Sequence, residues 1–397
     1  MSRSSAPRLR FALVGAGVIS GTHARVMQQL ADQIELVAVV DVHLDRAEAL
    51  TREYGGRPFA SLADALAGVD VDVVTVCTPT GRHGEVAIEA LEAGKHVVIE
   101  KPAEVSLEQT DRILAAQRRA GTVVTVISQH RFDASTEITL RAIAEGALGR
   151  VTSATAAVDW WRGQSYYDSG GWRGTWELDG GGALMNQGVH TVDLLIATLG
   201  RPVEVFAYTA TLAHERIETE DVAVAVVRFA SGALATLHAT TAAYPGLSAR
   251  LQVHGDRGSV VIDDDELSFL HVNPPGVEAE EKLMGSRSSS VNQVADLTSP
   301  PAGGPTAGSD PGALSSSSHR RQYENFLGAL AGTETLRVDL LTNRQALGLI
   351  VGAYQSAATG RPVRLSDPAP LSAPADRTDP VERTDPDPLP RPTEDRP

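Results

Sequence analysis

The sequence predicts an α/β chain in which an N-terminal doubly wound parallel sheet is joined to a C-terminal α+β unit built on a largely antiparallel open sheet. Three features carry that prediction. From Arg10 to about Ser128, short β-branched runs alternate with longer amphipathic stretches, as in parallel strands joined by crossover helices. Beyond Arg150, several strands follow one another without such crossovers, the pattern of an antiparallel sheet. The 397 residues also exceed one ordinary domain, and the change of pattern divides them at 8–128 and 129–366, with a tail at 367–397.

In the first half the expected strands are Phe11–Val14, Ile34–Val40, Val71–Cys77, His96–Ile99 and Thr122–Ile127. Helices at Val18–Ala31, Leu44–Tyr54, Arg82–Ala93 and Ser106–Ala120 connect them, each with apolar residues three and four apart. A helix near Ser135–Glu145 leads into the second half. Its strands are Arg150–Trp161, Val203–Leu212, Asp221–Phe229, Ala233–Thr241 and Leu251–Gly255, and its helices Ala183–Leu199, Arg320–Leu330 and Thr342–Thr359. Asn273–Ser318 is rich in Pro, Gly and Ser and longer than loops inside compact domains, so it reads as a mobile excursion. The tail carries 9 of the 22 prolines with few apolar residues, too little to bury against a core, and reads as disordered.

Composition excludes several classes. The chain is 42% hydrophobic and 21% charged, ordinary for a globular protein, and 35 Lys and Arg against 50 Asp and Glu give a net charge of −15. With no basic stripe to offset it, that charge repels phosphate backbones and argues against a nucleic-acid partner. The one cysteine, Cys77, lies in an apolar run, so neither a disulfide nor a cysteine metal centre can form within the chain, and no convincing ligand cluster suggests a metal. No stretch approaches membrane-spanning length, and Phe11–Val14 is too short for the apolar part of a signal peptide. The expectation is a cytoplasmic protein with no membrane partner.

The first strand runs directly into Gly15-Ala16-Gly17-Val18-Ile19-Ser20-Gly21 and a helix, placing a glycine turn and a helix N-terminus where a pyrophosphate can be held. Asp41 ends the second strand, where a carboxylate can accept hydrogen bonds from a ribose. Strand, turn, helix, strand and acid together give a Rossmann dinucleotide site using Gly15, Gly17, Val18, Ile19 and Asp41. Asp41 repels a 2′-phosphate and so favours NAD, while His43 and Arg46 keep NADP open. Thr78-Pro79-Thr80 and Glu100-Lys101-Pro102 fall at the carboxyl ends of the third and fourth strands, where doubly wound folds bind ligands. Lys101 there is either a solvated strand end or an ammonium aimed into the crevice. On the helix Ala183–Leu199, Asn186, His190 and Asp193 share one face that is nearly free of charge, which suits a cleft better than a solvent face. His190 is then a core histidine or an acid/base group working near neutral pH. Trp160, Trp161, Trp172 and Trp176 cluster with Arg162, Arg173, Tyr166 and Tyr167, a composition suited equally to a sugar-binding loop and to an oligomer contact.

These motifs resemble the Gfo/Idh/MocA oxidoreductase family over about Arg8 to Leu365. The resemblance rests on Gly15-Ala16-Gly17-Val18-Ile19 with His23, on Thr78-Pro79 with His83, on Ala93-Gly94-Lys95-His96-Val97 leading into Glu100-Lys101-Pro102, and on Gly181-Gly182 with His190-Thr191-Val192-Asp193-Leu194-Leu195. It implies hydride transfer between a nicotinamide cofactor and a ring secondary hydroxyl of a sugar, sugar derivative or cyclitol. Lys101 and His190 would be the catalytic pair, His190 accepting the hydroxyl proton and Lys101 polarising the oxygen. Thr78, Pro79, His83, Glu100 and Lys101 would complete the cofactor site, and Lys101, Arg162, Trp172, Arg173, Asn186 and His190 would meet the substrate. It also implies a homodimer or homotetramer formed through the open sheet. Many members carry an aspartate where this chain has Asn186, which can orient a hydroxyl but cannot take a proton. Two rivals use the same motifs: a glycosidase that keeps NAD bound and oxidises transiently, and a non-catalytic NAD-binding regulator. The regulator would have no need of both Lys101 and His190.

Overall fold

The computed structural model describes residues 7–272, 291–297 and 316–366. Most of the excursion read at Asn273–Ser318, and all of the tail at 367–397, lie outside them. The chain opens with β1 (Leu9–Val14), α1 (Val18–Gln29), β2 (Ile34–Val40), α2 (Leu44–Tyr54), β3 (Arg57–Phe59), α3 (Leu62–Gly68), β4 (Val73–Val76), α4 (His83–Glu92), β5 (His96–Ile99), α5 (Leu107–Ala120) and β6 (Val124–Val126). These strands form one parallel sheet in the order β3-β2-β1-β4-β5-β6. The order reverses between β1 and β4, so the crevice for a ligand opens beyond their carboxyl ends. Caps fix the connections: Ser61 and Ser106 accept from the backbone N–H of Asp64 and Gln109 at the starts of α3 and α5.

The second half continues with α6 (Ala134–Ala144), β7 (Val151–Asp159), α7 (Gln164–Asp168), a π-helical turn (Ala183–Gln187), α8 (Val189–Leu199), β8 (Pro202–Ala210), β9 (Val222–Phe229), β10 (Leu234–Thr240), β11 (Ala249–Gly255), β12 (Gly258–Asp263) and β13 (Glu266–Val272). After α9 (Val294–Leu297) come α10 (Ser316–Leu330), α11 (Leu340–Thr359) and β14 (Val363–Arg364). The eight-stranded sheet runs β13-β12-β11-β7-β10-β9-β8-β14 and is antiparallel except for β7 beside β10. The sheet is thus largely antiparallel, as read from the sequence, and the one parallel pair arises because the chain leaves β7 through α7 and α8 and forms β8 and β9 before β10 returns beside β7. Residues alternate strictly along β9, one face packing with α8 and α11 in a common core and the other exposing Val224 and Val226.

The helix read as continuous over Ala183–Leu199 instead begins with the π turn, in which Gly188 N–H reaches the Ala183 carbonyl. One extra residue per turn changes which side chains share a face. The extra residue shifts Asn186 relative to His190 and Asp193, which both lie in α8, and Asp193 accepts two hydrogen bonds from Arg131, at 2.6 and 2.8 Å. This bidentate pair is nearly dry, with 11% and 5% of the two side chains exposed, and it ties the turn after β6 to α8. Asp193→Ala should lower unfolding stability in urea by about 3–5 kcal/mol, because it strands a buried guanidinium, and adding Arg131→Met should recover most of the loss. A cost of about 0–1 kcal/mol, that of an exposed pair, would contradict this reading.

Candidate active site

The glycine turn is built by close backbone approach. Gly15 has φ 94°, and a Cβ on it would lie 2.6 Å from the Cys77 carbonyl oxygen at the end of β4. Gly17 faces open space, and α1 begins there with no side-chain cap, so its first N–H groups are not taken by a capping side chain. Asp41 spends one oxygen on Ala16 N–H (2.7 Å) and the other on His43 N–H (2.8 Å), leaving lone pairs on both. Val18, Val42 and Leu44 stand exposed around this crevice, and the buried Thr78 Oγ1 lacks a hydrogen-bond partner. An open cradle, apolar walls, a ribose-type acceptor and an orphaned hydroxyl fit a dinucleotide.

Two residues expected at the cofactor, His83 and Glu100, are buried among protein partners. His83 is enclosed, with Nδ1 2.8 Å from the Pro102 carbonyl and Nε2 2.8 Å from that of Thr78, so it clasps the loops that follow β4 and β5. Glu100 accepts from His23 Nε2 (2.8 Å) and from the Lys101 backbone N–H (3.0 Å). Burial favours its neutral form, but the His23 hydrogen bond and nearby cations, Lys101 among them, hold its carboxyl down to about 2. His23 in turn meets the Tyr323 hydroxyl of α10 at 2.8 Å, locking the later helix onto the parallel sheet.

Lys101 extends from the end of β5 into the second half, where Nζ donates to the backbone oxygen of Asn186 at 2.9 Å and to its Oδ1 at 3.3 Å. Asn186 Nδ2 donates to Asp179 (2.7 Å), whose other oxygen accepts from Gly174 N–H (2.8 Å). Asp179 therefore fixes the amide with its oxygen toward the ammonium. Burial pushes Asp179 up to about 6, and burial with the charges of Arg173 and Arg162 pushes Lys101 below its ordinary value. His190, one residue into α8, is pushed well below 6.5 by burial and by Lys101, His130 and His319, so it is a neutral imidazole at pH 7.

The turn that presents Asn186 hangs on Glu220, which accepts from Gly182 N–H, Leu184 N–H and the Tyr354 hydroxyl. A Cβ at Gly182 would overlap the Glu220 carbonyl, so only glycine allows this approach. Tyr166 lies between two guanidiniums, with Arg173 Cζ 4.2 Å and Arg162 Cζ 5.7 Å from its ring centroid, while Trp172 and Trp160 back Arg173 and Arg162. Trp161 and Trp176 pack instead on Tyr244 and Tyr354. Beside His190, the Trp160 indole N–H and Gln187 Oε1 are buried without partners and line a small cavity with His130. Sequence reasoning missed Asp179, Glu220 and His130. Glu220 acts through partners 38 and 36 residues away, His130 is held in part by the distant Asp265, and for Asp179 only the glycines before Asn186 hinted at an unusual turn.

Comparison with known proteins agrees with this geometry. Residues 9–128 match the family model described as "Oxidoreductase family, NAD-binding Rossmann fold", and 138–261 match the GFO/IDH/MocA C-terminal domain. The inositol 2-dehydrogenase of Rhizobium meliloti is 30% identical over 262 residues, covering 64% of this chain and 76% of that protein. The D-glucoside 3-dehydrogenase of Escherichia coli is 35% identical over 201 residues, 49% of this chain and 55% of that protein. The crystal structure of the WlbA dehydrogenase from Bordetella pertussis, in complex with NADH and UDP-GlcNAcA, superposes with a TM-score of 0.77 at 34% identity, covering 91% of this chain and 99% of that one. The fold and site define an NAD-binding oxidoreductase. The chain belongs to the Gfo/Idh/MocA family, whose named members among these relatives are sugar and polyol dehydrogenases. Gly17→Ala should leave thermal stability unchanged while weakening NADH binding by calorimetry, because its methyl enters the open cradle. Gly15→Ala should cost stability as well, and equal behaviour of the two variants would contradict the described turn.

Proposed function

We propose that the protein oxidises, or in reverse forms, a ring secondary hydroxyl of a sugar or sugar derivative bearing an acidic group, with Lys101 and His190 as the catalytic residues. The observation that carries this is the part-buried Lys101 ammonium, oriented by Asn186 and electrostatically coupled to an uncharged His190. His190 Nε2 or Nδ1 accepts the hydroxyl proton, and Lys101 donates a hydrogen bond to the same oxygen as negative charge grows on it. NAD, held at Gly15, Gly17, Val18, Ile19, Asp41, Thr78 and Pro79, supplies the two-electron acceptor when bound. Asn186 keeps Lys101 in place and orients the substrate, a role that needs no carboxylate at its position because Asp179 stands behind it.

The acidic group is supported by the charge distribution. A chain with a net charge of −15 gathers Lys101, Arg162 and Arg173 around one cleft, with Trp172 and Tyr166 as stacking surfaces. The uronate in the name of the ligand bound to the Bordetella pertussis dehydrogenase agrees with that reading. The unpartnered Trp160 N–H and Gln187 Oε1 suit the remaining hydroxyls. Residues 8–128 would bind the cofactor and 129–366 the substrate. The apolar outer face of the large sheet, with Tyr208, Val224, Val226 and Leu234 exposed, supports assembly into a homodimer or homotetramer. No helix among the described residues is long and apolar enough to cross a membrane. NAD-linked chemistry and a single buried cysteine fit a cytoplasmic setting.

Absorbance at 340 nm with NAD⁺, across neutral sugars, inositols, uronates and nucleotide-uronates, tests this. Acidic sugars should turn over fastest, and Lys101→Ala and His190→Ala should each lower kcat by about 10²-fold or more with the NADH dissociation constant unchanged. Equal losses of turnover and NADH affinity, or a preference for neutral inositols, would overturn the respective assignments.

A further inference from the structure

His130, which the mechanism above does not use, sits in an arrangement that fixes its charge. It lies in the turn Gln129–Phe132 after β6, and Nδ1 is 2.9 Å from an oxygen of Asp133 and 2.9 Å from one of Asp265. Two carboxylates about one ring nitrogen require a proton on it. Asp133 is further anchored by the Ser318 hydroxyl of α10, and Asp265 by a turn in which Asp264 and Asp265 both take left-handed backbone, φ 47° and 66°. These two residues are the loop of the β12–β13 hairpin, whose favoured turn takes positive φ at both positions, and here it delivers a carboxylate to His130. On the other side, the Gln129 amide lies 3.1 Å from His130 Nε2, while Gln129 Oε1 is buried with no partner. A half-turn of the amide, which exchanges its oxygen and nitrogen, presents an acceptor to Nε2. Each ring nitrogen then faces an acceptor, the environment of an imidazolium.

The His130 ring meets His190 edge to face, centroids 4.9 Å apart at 81°. The other charged and titratable groups around His190 are Lys101 from the end of β5, His319 from α10, Arg250 from β11, and Asp264 and Asp265 from the turn before β13. Asp265 is 43% exposed on its side chain and so screened by water, whereas the two rings are in direct contact.

We infer that His130 is a permanently charged positioning residue, clamped by Asp133 and Asp265, whose imidazolium keeps the neighbouring His190 unprotonated and ready to accept a proton. The inference rests on His190 being the proton acceptor. His130 cannot share that task, since neither of its nitrogens offers a lone pair. Burial works against the cation, yet Asp265 and Asp133 raise His130 to about 10.

The test is a histidine NMR titration of the full chain beside the pH profile of kcat/KM, in wild type, His130→Gln and His130→Lys. In wild type, the His130 resonance should stay in the protonated form above pH 9 and His190 should titrate below its ordinary value. His130→Gln removes the cation and leaves the two carboxylates, so the His190 titration and the acid limb of kcat/KM should both rise by about one pH unit or more, an about tenfold loss on that limb. His130→Lys, which keeps the charge, should restore both. A wild-type His130 that titrates near 6.5, an unmoved His190 in His130→Gln, or a loss equal at every pH that Lys does not rescue would each overturn the inference. If His190→Ala retains turnover, it is the proton-acceptor assignment that fails, while the titrations still decide the charge of His130.

Discussion

The Lys101 ammonium is the point on which the site depends. It starts just beyond the end of β5 and ends on two oxygens of Asn186, 85 residues away, so a single part-buried cation couples the parallel-sheet half to the C-terminal half. A buried cation is tolerated only where its donors are satisfied, and the structure supplies those acceptors by distorting a helix. The π turn lowers Asn186 toward Lys101, Glu220 holds the turn, and Asp179 sets the amide the right way round. Removing any one of these leaves the others without a purpose that packing alone would explain.

Charge is graded through the molecule in support of that contact. Beneath the crevice, Glu100 is a firm anion clasped by His23, and its charge offsets part of the cost of burying Lys101. Above it, Arg162 and Arg173 work in the opposite sense, lowering the hold of Lys101 on its proton. The same environment that loosens the hold of Lys101 on its proton keeps His190 neutral, as the proposed roles of the two require. Acid and base are thereby separated by their surroundings rather than by residue type.

Much of this was legible in the sequence, and the failures have identifiable causes. The parallel sheet announces itself because its strands are apolar runs separated by periodic helices, and the glycine turn because a backbone approach to Cys77 tolerates no side chain at Gly15. The edge strand β3 escaped notice, being three residues, two of them exposed, with little hydrophobic pattern to read. β12 and β13 escaped as well, since the acidic turn between them looks like a solvated loop until His130 is seen against it. Helical periodicity located Asn186 and His190 but carried no trace of the one-residue insertion, and so kept Asn186 in α-helical register with His190 and Asp193. Lys101 stood out by position at a strand end. Asp179, in a glycine-rich loop, and Glu220, in an acidic run just before β9, did not, because neither has a spacing that distinguishes it from a surface charge.

The account stands or falls on whether Lys101 and His190 address the same oxygen. A crystal structure of the protein with NADH and an acidic sugar identified by turnover measures this directly. The account predicts one ring hydroxyl within hydrogen-bonding distance, about 2.6–3.2 Å, of both Lys101 Nζ and a His190 ring nitrogen, with the carboxylate toward Arg173. A sugar whose hydroxyls approach neither residue, or approach Lys101 while His190 faces only protein, would contradict it.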